Sequence, residues 1–359
     1  MSHRATAILC AVAIALSACD SSSGGAPFGL DEHTANVADE AWWGAVVPTD
    51  DVPYDDAIAE VFANRATSLA ESCKSWAGFV VHDGDLVHVT TSGTDGPREP
   101  VLLASVSKTV IVVLALRLAA AGTLDLDRPI MEIFAANAAL HERYAYMLEE
   151  SHQQAVTARL LLAHRSGLAP NGSFGAKGLC VAPPDTVSVY SNLGYHVLFD
   201  VLREVSGQTL PELLRRELTT PTGIEGFDFP DSRYAAATFG RASPLAMARM
   251  IRLLVSGGLV SAPTWPDDVL HIYGGMIGLG FQVQHIGDER IAMQEGVWDQ
   301  TRNSLSIWDR RRDAAALFCT AAPQRKPPTD MRNTSWLIMH DVRALPSTDA
   351  SPSTPNKPR

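Results

Sequence analysis

Ser105 and Lys108 stand three residues apart in ASVSKTV, at the head of a long apolar stretch, Val101 to Ile130. At that spacing on a helix two side chains share a face. A helix start carries unpaired N–H groups and the positive end of the dipole, so a serine there sits where a developing oxyanion is stabilised. A lysine one turn inside an apolar wall loses solvation. That lowers its pKa and makes a neutral amine available as a base. Ser-x-x-Lys is short, and about one copy is expected by chance in a chain of this length. Alone it reads as a helix cap and a snorkelling lysine. A second pair, Tyr190 and Asn192, stands in VYSNLGYHVLFDVL before another amphipathic stretch. A phenol and an amide two residues apart ahead of a helix can converge on one ligand, although capping by Ser191 or Asn192 also explains the pattern.

The elements that must position these residues follow from hydrophobic periodicity. VVHDGDLVHVT, Val80 to Thr90, predicts two strands joined at Asp83-Gly84. His82 and His88 flank that turn and read as hairpin residues, not as metal ligands. The spacing predicts a helix over Val101 to Ala121, ended by Gly122, then helices over Val156 to Ala163, Leu193 to Val205, Leu210 to Leu218 and Pro244 to Val255. After about Asp268 the character changes. IGLGFQVQHI, ERIAMQEGV, NSLSIWD and AAALFCTAA predict consecutive antiparallel strands. DRRRD, Asp309 to Asp313, is expected to be a solvated turn. A closing helix, Thr329 to Leu345, is expected with Thr329 or Asp330 as its cap. Strands at both sequence ends with helices between them predict one sheet built from both ends and a helical domain inserted, an α/β chain of the α+β kind.

A length of 359 residues fits about two domains. Net charge is −11, from 29 basic and 40 acidic residues, which argues against a nucleic-acid partner. Arg4 and the apolar run Ala7 to Ser17 have the form of an export signal, residues 1–18, with a run too short to span a bilayer. LSAC, Leu16 to Cys19, resembles a bacterial lipobox, in which the cysteine is lipidated. Residues 19–50, including SSSGGAPFG, would form the tether, and the Pro/Ser/Thr-rich residues 346–359 a disordered tail. The expectation is an exported protein, lipid-anchored through Cys19 and facing the periplasm or cell exterior. Asp20 resembles an inner-membrane retention signal. Cys73, Cys180 and Cys319 remain for one disulfide and one free thiol, with the pairing open. There is no CxxC or metal-like Cys/His spacing, no G-x-S-x-G elbow, no H-E-x-x-H and no glycine-rich phosphate loop. No metal and no cofactor are expected.

Several segments then fall in a recognisable order: ASVSKTV, GTLDLDRPI, LLAHRSGL, YSNLGYHVLFDVLREVSGQTLPELL, PTGI and IGLGF. Together they resemble the serine β-lactamase and penicillin-binding protein superfamily, nearest the class C β-lactamase-related and esterase branch, from about Ala77 to Ala322. The resemblance implies a β-lactamase/transpeptidase-like fold, an antiparallel sheet flanked by helices with an inserted helical domain. That domain would span 51–345, with a sheet part at about 75–102 and 268–345, a helical part at about 105–265, and the site at their junction. Ser105 maps to the acylated nucleophile, Lys108 to its partner, Tyr190 to the proton-transfer residue and Asn192 to a substrate-orienting amide. Which of Lys108 and Tyr190 takes the serine proton is left open.

One segment departs from the family. Its usual Lys-Thr-Gly or His-x-Gly aligns with Gln294-Glu295-Gly296. Gly296 keeps the small residue that lets a substrate approach, and the N–H of Val297 maps to the second oxyanion donor beside that of Ser105, each donor contributing on the order of 10²–10³ in rate. Strand alternation turns Gln294 and Gly296 to one face and Glu295 to the other. Gln294 carries no charge, so anionic substrates are expected to bind poorly. The implied activity is a serine acyl-hydrolase acting on small-molecule or peptide esters or amides. The alternative is a catalytically impaired binding or envelope-structural protein on the same fold. Intact Ser105, Lys108 and Tyr190 weigh against it, because a lysine buried for no purpose is a cost.

Overall fold

Period-two alternation builds the sheet, and a run of helix formers without a breaker builds the helix at its centre. In a computed structural model, residues 52–67, 73–93, 96–260, 264–273, 277–321 and 333–345 are described. The expected signal, Cys19, the tether, the tail and the expected caps Thr329 and Asp330 lie outside those residues. The first hairpin is β1, Cys73–His82, and β2, Asp85–Ser92, turning at Asp83-Gly84. Two-residue strands follow at β3, Val101–Leu102, β4, Phe227–Asp228, and β5, Arg241–Ala242. The C-terminal strands are β6, Gln282–Ile286, β7, Glu289–Trp298, β8, Thr301–Trp308, and β9, Asp313–Ala321. The main sheet runs β2-β1-β9-β8-β7-β6 with every pair antiparallel, so the two ends of the domain meet where β1 pairs with β9. This is the expected antiparallel sheet flanked by helices. β3, β5 and β4 form a separate small sheet.

Alternation along the strands splits the core in two. Phe79 and Val81 join a large cluster with the helical part, while Val80 between them joins a smaller cluster on the other face. That smaller cluster is closed by helices α1, Asp56–Thr67, and α5, Thr334–Arg343. The large cluster holds α2, Ser107–Ala120, α3, Asn192–Ser206, and α4, Pro244–Val255. α2 is buried from Ser107 to Leu116 without a break, as a helix apolar on all sides must be. α3 is capped by the Ser191 hydroxyl, which accepts from the Gly194 N–H, and ends at Gly207 in the left-handed region.

The structure differs from the sequence reading in four places. The expected helix from Val101 begins only at Ser107, because Val101 and Leu102 pair with β5 and Ala104 takes φ 47°. The expected helix Leu210 to Leu218 is α-helical to Leu214 and widens to a π-type turn at Arg215–Thr219. Within IGLGFQVQHI only Gln282–Ile286 is strand, since Gly278 N donates to Phe281 O at 2.9 Å in a tight turn with Gly280 at φ 81°. DRRRD is not wholly a solvated tip: Asp309 and Asp313 are both buried. Asp309 holds Arg290 at 2.6 Å, and Asp313 accepts from Arg343 Nε at 2.8 Å and from the Asp83 N–H at 2.9 Å. His82 also reaches Asp313, at 2.9 Å, so this cluster of His82, Asp83 and Asp313 is already neutralised by a guanidinium. The closing helix has Asn333 at its N-terminal cap position. The pairing left open by the sequence is Cys73 with Cys319, on the adjacent strands β1 and β9, and Cys180 is free.

Candidate active site

Ser105 lies in a 3₁₀ turn, Ala104–Val106, that runs directly into α2. The turn is held from several sides. Leu103 N donates to Gly240 O at 2.9 Å. The Asn303 amide, buried on β8, donates to Leu102 O at 2.9 Å and to Leu103 O at 2.8 Å. Ala104 is thereby kept in the left-handed region, which disfavours a residue bearing a Cβ and persists where the surroundings over-determine it. The consequence is a fixed serine at the head of a buried helix.

Lys108 follows one turn later with 0% of its side chain exposed. Its Nζ lies 3.2 Å from Ser105 Oγ, 2.8 Å from Asn192 Oδ1 and 2.7 Å from Ala237 O. The last two atoms only accept, so two N–H groups are committed to them. The remaining direction is shared by Ser105 Oγ and Tyr190. In the ammonium form it holds an N–H; in the neutral amine it holds the lone pair. Burial pushes the Lys108 pKa down, and Tyr190, hydrogen-bonded beside it, pulls it partly back. The ammonium also sits over the Tyr190 and Tyr195 rings, 4.9 and 5.3 Å from their centroids.

Tyr190 and Asn192 reach this point from the loop before α3. Asn192 donates through Nδ2 to Asn171 Oδ1 at 2.9 Å, which fixes the amide so that Oδ1 faces Lys108. Ser191 N donates to His164 Nδ1 at 3.1 Å, and the His164 ring lies 4.5 Å from that of Tyr190. Burial, with the Lys108 charge adding to it, lowers the His164 pKa to about 3, so the ring is neutral and backs the phenol without competing for its proton. The four side chains Ser105, Lys108, Tyr190 and Asn192, drawn from two distant segments, therefore converge.

β7 forms the facing wall. Asp309 N donates to Arg290 O at 3.2 Å, so even-numbered residues of β7 point their backbone groups at β8 and odd-numbered ones toward β6. Pairing with β6 stops at Met293. Among the described residues the Val297 N–H is thus on an unpaired edge. Gln294 lies on the face that meets the serine turn, and its Nε2 donates to Ser105 O and to Glu295 O, both at 3.2 Å. Glu295 shares the opposite face with Met293, which packs in the smaller core cluster, so its side chain is turned away from Ser105. Gly296 has a reason beyond the one the sequence suggested. A Cβ there would stand 2.5 Å from Leu103 O and 3.2 Å from the Asn303 side chain, so the missing side chain lets β7 close against the serine turn.

Sequence reasoning passed over several participants. Ala237 acts through a backbone carbonyl, which no side-chain pattern reveals. Asn171 sits in an irregular loop. His164 stood inside LLAHRSGL, where its spacing from the helix end was the available signal. Trp298, directly after Val297, lies on the face of Gln294 and Gly296 and meets Phe239 edge-on at 4.8 Å.

A serine held at a helix start, an amine stripped of solvent beside it, a phenol beside the amine and a free strand edge opposite can together support attack on a carbonyl. Comparison with known proteins bears on the family and the fold. The Beta-lactamase family model matches residues 67–318. "Penicillin-binding protein 4" of Amycolatopsis lactamdurans is 29% identical over 163 residues, 41% of this chain, and the match spans only 39% of that relative's length. The D-amino acid amidase of Ochrobactrum anthropi SV3, solved with L-phenylalanine amide, superposes with a TM-score of 0.63 at 14% identity, over 80% of this chain and 98% of that one. The class C beta lactamase of Rhodobacter sphaeroides gives 0.60 at 14% identity, over 80% and 100%. At such identities these two structures bear on the fold alone.

Proposed function

The chain belongs to the beta-lactamase family, and from that premise we propose that it is a serine hydrolase that forms an acyl-enzyme on Ser105 with ester or amide substrates. Ser105 Oγ attacks the carbonyl carbon while its proton passes to Lys108 Nζ. The carbonyl π pair moves onto oxygen, and the oxyanion meets the N–H groups of Ser105 and Val297. Collapse expels the alcohol or amine, which recovers the proton through Lys108 or Tyr190. Water then attacks the acyl group by the same proton route in reverse, releasing the acid and restoring Ser105. Asn192 orients the substrate and, through Oδ1, keeps the amine aimed at the serine.

The observation that carries this reading is the Lys108 cage, in which two acceptors occupy two N–H groups and leave the remaining side of the amine to Ser105 Oγ and Tyr190. A non-catalytic scaffold has no use for a desolvated lysine against an unmodified serine. Gln294, tied to Ser105 O, supplies no cation for a substrate carboxylate, which favours uncharged esters and amides over β-lactams. The test is covalent labelling with a fluorophosphonate and with a penicillin, read by intact mass. A phosphonate adduct lost in Ser105→Ala supports the hydrolase; no adduct from either reagent favours the binding-protein reading.

Export and lipid anchoring at Cys19 are proposed with it. The Cys73–Cys319 disulfide fits an oxidising compartment. Radiolabelled palmitate incorporated by the full chain in a bacterial host and lost in Cys19→Ala is the expected result; equal labelling of both forms, or of neither, contradicts the anchor.

A further inference from the structure

A row of rings runs from the helix that carries Asn192 to the free edge of β7. His196, one turn beyond Asn192 on α3, meets Tyr234 at 5.0 Å between centroids. Tyr234 meets Phe239 at 6.3 Å, and Phe239 meets Trp298 at 4.8 Å. The backbone ties this row to the serine. Ala237 O holds Lys108 Nζ, and Gly240 O holds Leu103 N, so Phe239 lies between two anchors to the turn that carries Ser105. Trp298 directly follows Val297 and shares the face of Gln294 and Gly296, the face that meets that turn. The rings are not spent in the core: Tyr234 is 57% exposed, and Phe239 and Trp298 are half-buried.

The charges around this row are already committed. Gln294 is neutral and bound to two carbonyls. Beyond His196, Arg143 and Arg233 both pair with the buried Asp200 carboxylate. Burial, then the charges of Lys108 and Arg233, lower the His196 pKa to about 4, so that ring is neutral at physiological pH. A carboxylate laid along this wall would lose water and find no free cation beside it among the described residues. An uncharged aromatic group would bury apolar area and meet ring faces and edges.

We propose that Tyr234, Phe239 and Trp298 form the subsite for the acyl side group of the substrate, and that this group is aromatic and uncharged, making the substrates esters or amides of arylacyl acids. The proposal rests on the acyl-enzyme reading. Each ring pair made with the substrate adds a factor of about two to ten beyond the effect of apolar area alone.

The experiment compares labelling of Ser105 by a benzyl and a methyl fluorophosphonate, by intact mass against time, in the wild-type chain, Trp298→Ala and Tyr234→Ala, with thermal melts to establish that each variant folds. The benzyl probe is expected to react at least about tenfold faster in the wild type, and the benzyl-to-methyl ratio to fall several-fold in each variant. The ratio is the readout because general damage to the site slows both probes together. Equal wild-type rates, or a ratio that survives both substitutions, overturn the subsite while leaving the acyl-enzyme intact. If neither probe labels, the acyl-enzyme reading fails. The subsite is then decided in Ser105→Ala by tryptophan fluorescence. Saturable quenching by phenylacetamide but not acetamide, lost in Trp298→Ala, sustains the wall as a site for uncharged aromatic groups while overturning its acyl role, and the absence of quenching removes both.

Discussion

Replacing Lys108 by Met separates what the lysine does for chemistry from what it does to stability. Methionine is unbranched and of similar length, so the apolar stem is kept while the amine is lost. On the chemical side a positioned base is removed, typically a factor of 10²–10⁴ in acylation. On the structural side two effects oppose each other. Asn192 Oδ1 and Ala237 O lose their donor, at about 1–3 kcal/mol for each acceptor left buried and unpaired. Against this, a fully buried cation with a lowered pKa is removed. The sign follows from proton counting. Between the lowered folded pKa and the ordinary 10.5, the unfolded chain binds the proton that the folded chain has released, so wild-type stability rises with pH through that window. Lys108→Met does not titrate there. Its melting temperature relative to wild type is therefore highest below the folded pKa and declines as pH rises toward 10.5. Stopped-flow labelling with a fluorophosphonate gives the rate, and melts across pH 6 to 10 give the stability difference. A labelling rate within about tenfold of wild type, or a stability difference that does not change with pH, would refute the assignment of Lys108 as a desolvated base.

Gln294→Lys should raise the acylation rate by benzylpenicillin about tenfold, because a charge-assisted hydrogen bond to the carboxylate replaces a neutral one; an unchanged or slower rate counts against the role given to Gln294. Gly296→Ala places a methyl 2.5 Å from Leu103 O, so the melting temperature should drop by the equivalent of about 1–3 kcal/mol and labelling of Ser105 should slow sharply. A variant with wild-type melting and labelling would show that β7 does not brace the serine turn. Acid should destabilise the fold before its carboxylates titrate. His88 and His196 are lowered to about 4 and His164 to about 3 by burial. Each is neutral when folded and protonated when unfolded below about 6.5, so the loss begins near that pH and grows down to the folded values, on the order of 2 kcal/mol per histidine by pH 5. A denaturant midpoint that stays flat from pH 7 to 5 would contradict it.

Much of this architecture is legible because local pattern and tertiary role agree. The Asp83-Gly84 hairpin, α4 from Pro244 and the three strands after Glu289 all follow the spacing of their apolar residues. Legibility fails where tertiary contacts override propensity. Val101 and Leu102 look like the start of a helix but pair with β5, and that pairing sets the serine turn. Asp309 and Asp313 look like surface charge until Arg290 and Arg343, remote in sequence, are folded over them. In the site, Ser105, Lys108, Tyr190 and Asn192 can be read from spacing and resemblance, because side-chain chemistry is written in residue type. The Ala237 carbonyl, the free edge of β7 and the brace at Gly296 cannot, because they are properties of the backbone in three dimensions.

The central claim is that Ser105 is a nucleophile activated by the amine beside it. Intact-mass measurement of the folded chain after a fluorophosphonate treatment tests it most directly. A single adduct mapping to Ser105, absent in Ser105→Ala and slowed at least about a hundredfold in Lys108→Met, is the predicted result. A wild-type chain that stays unmodified, or an adduct that persists when Ser105 is removed, would contradict it.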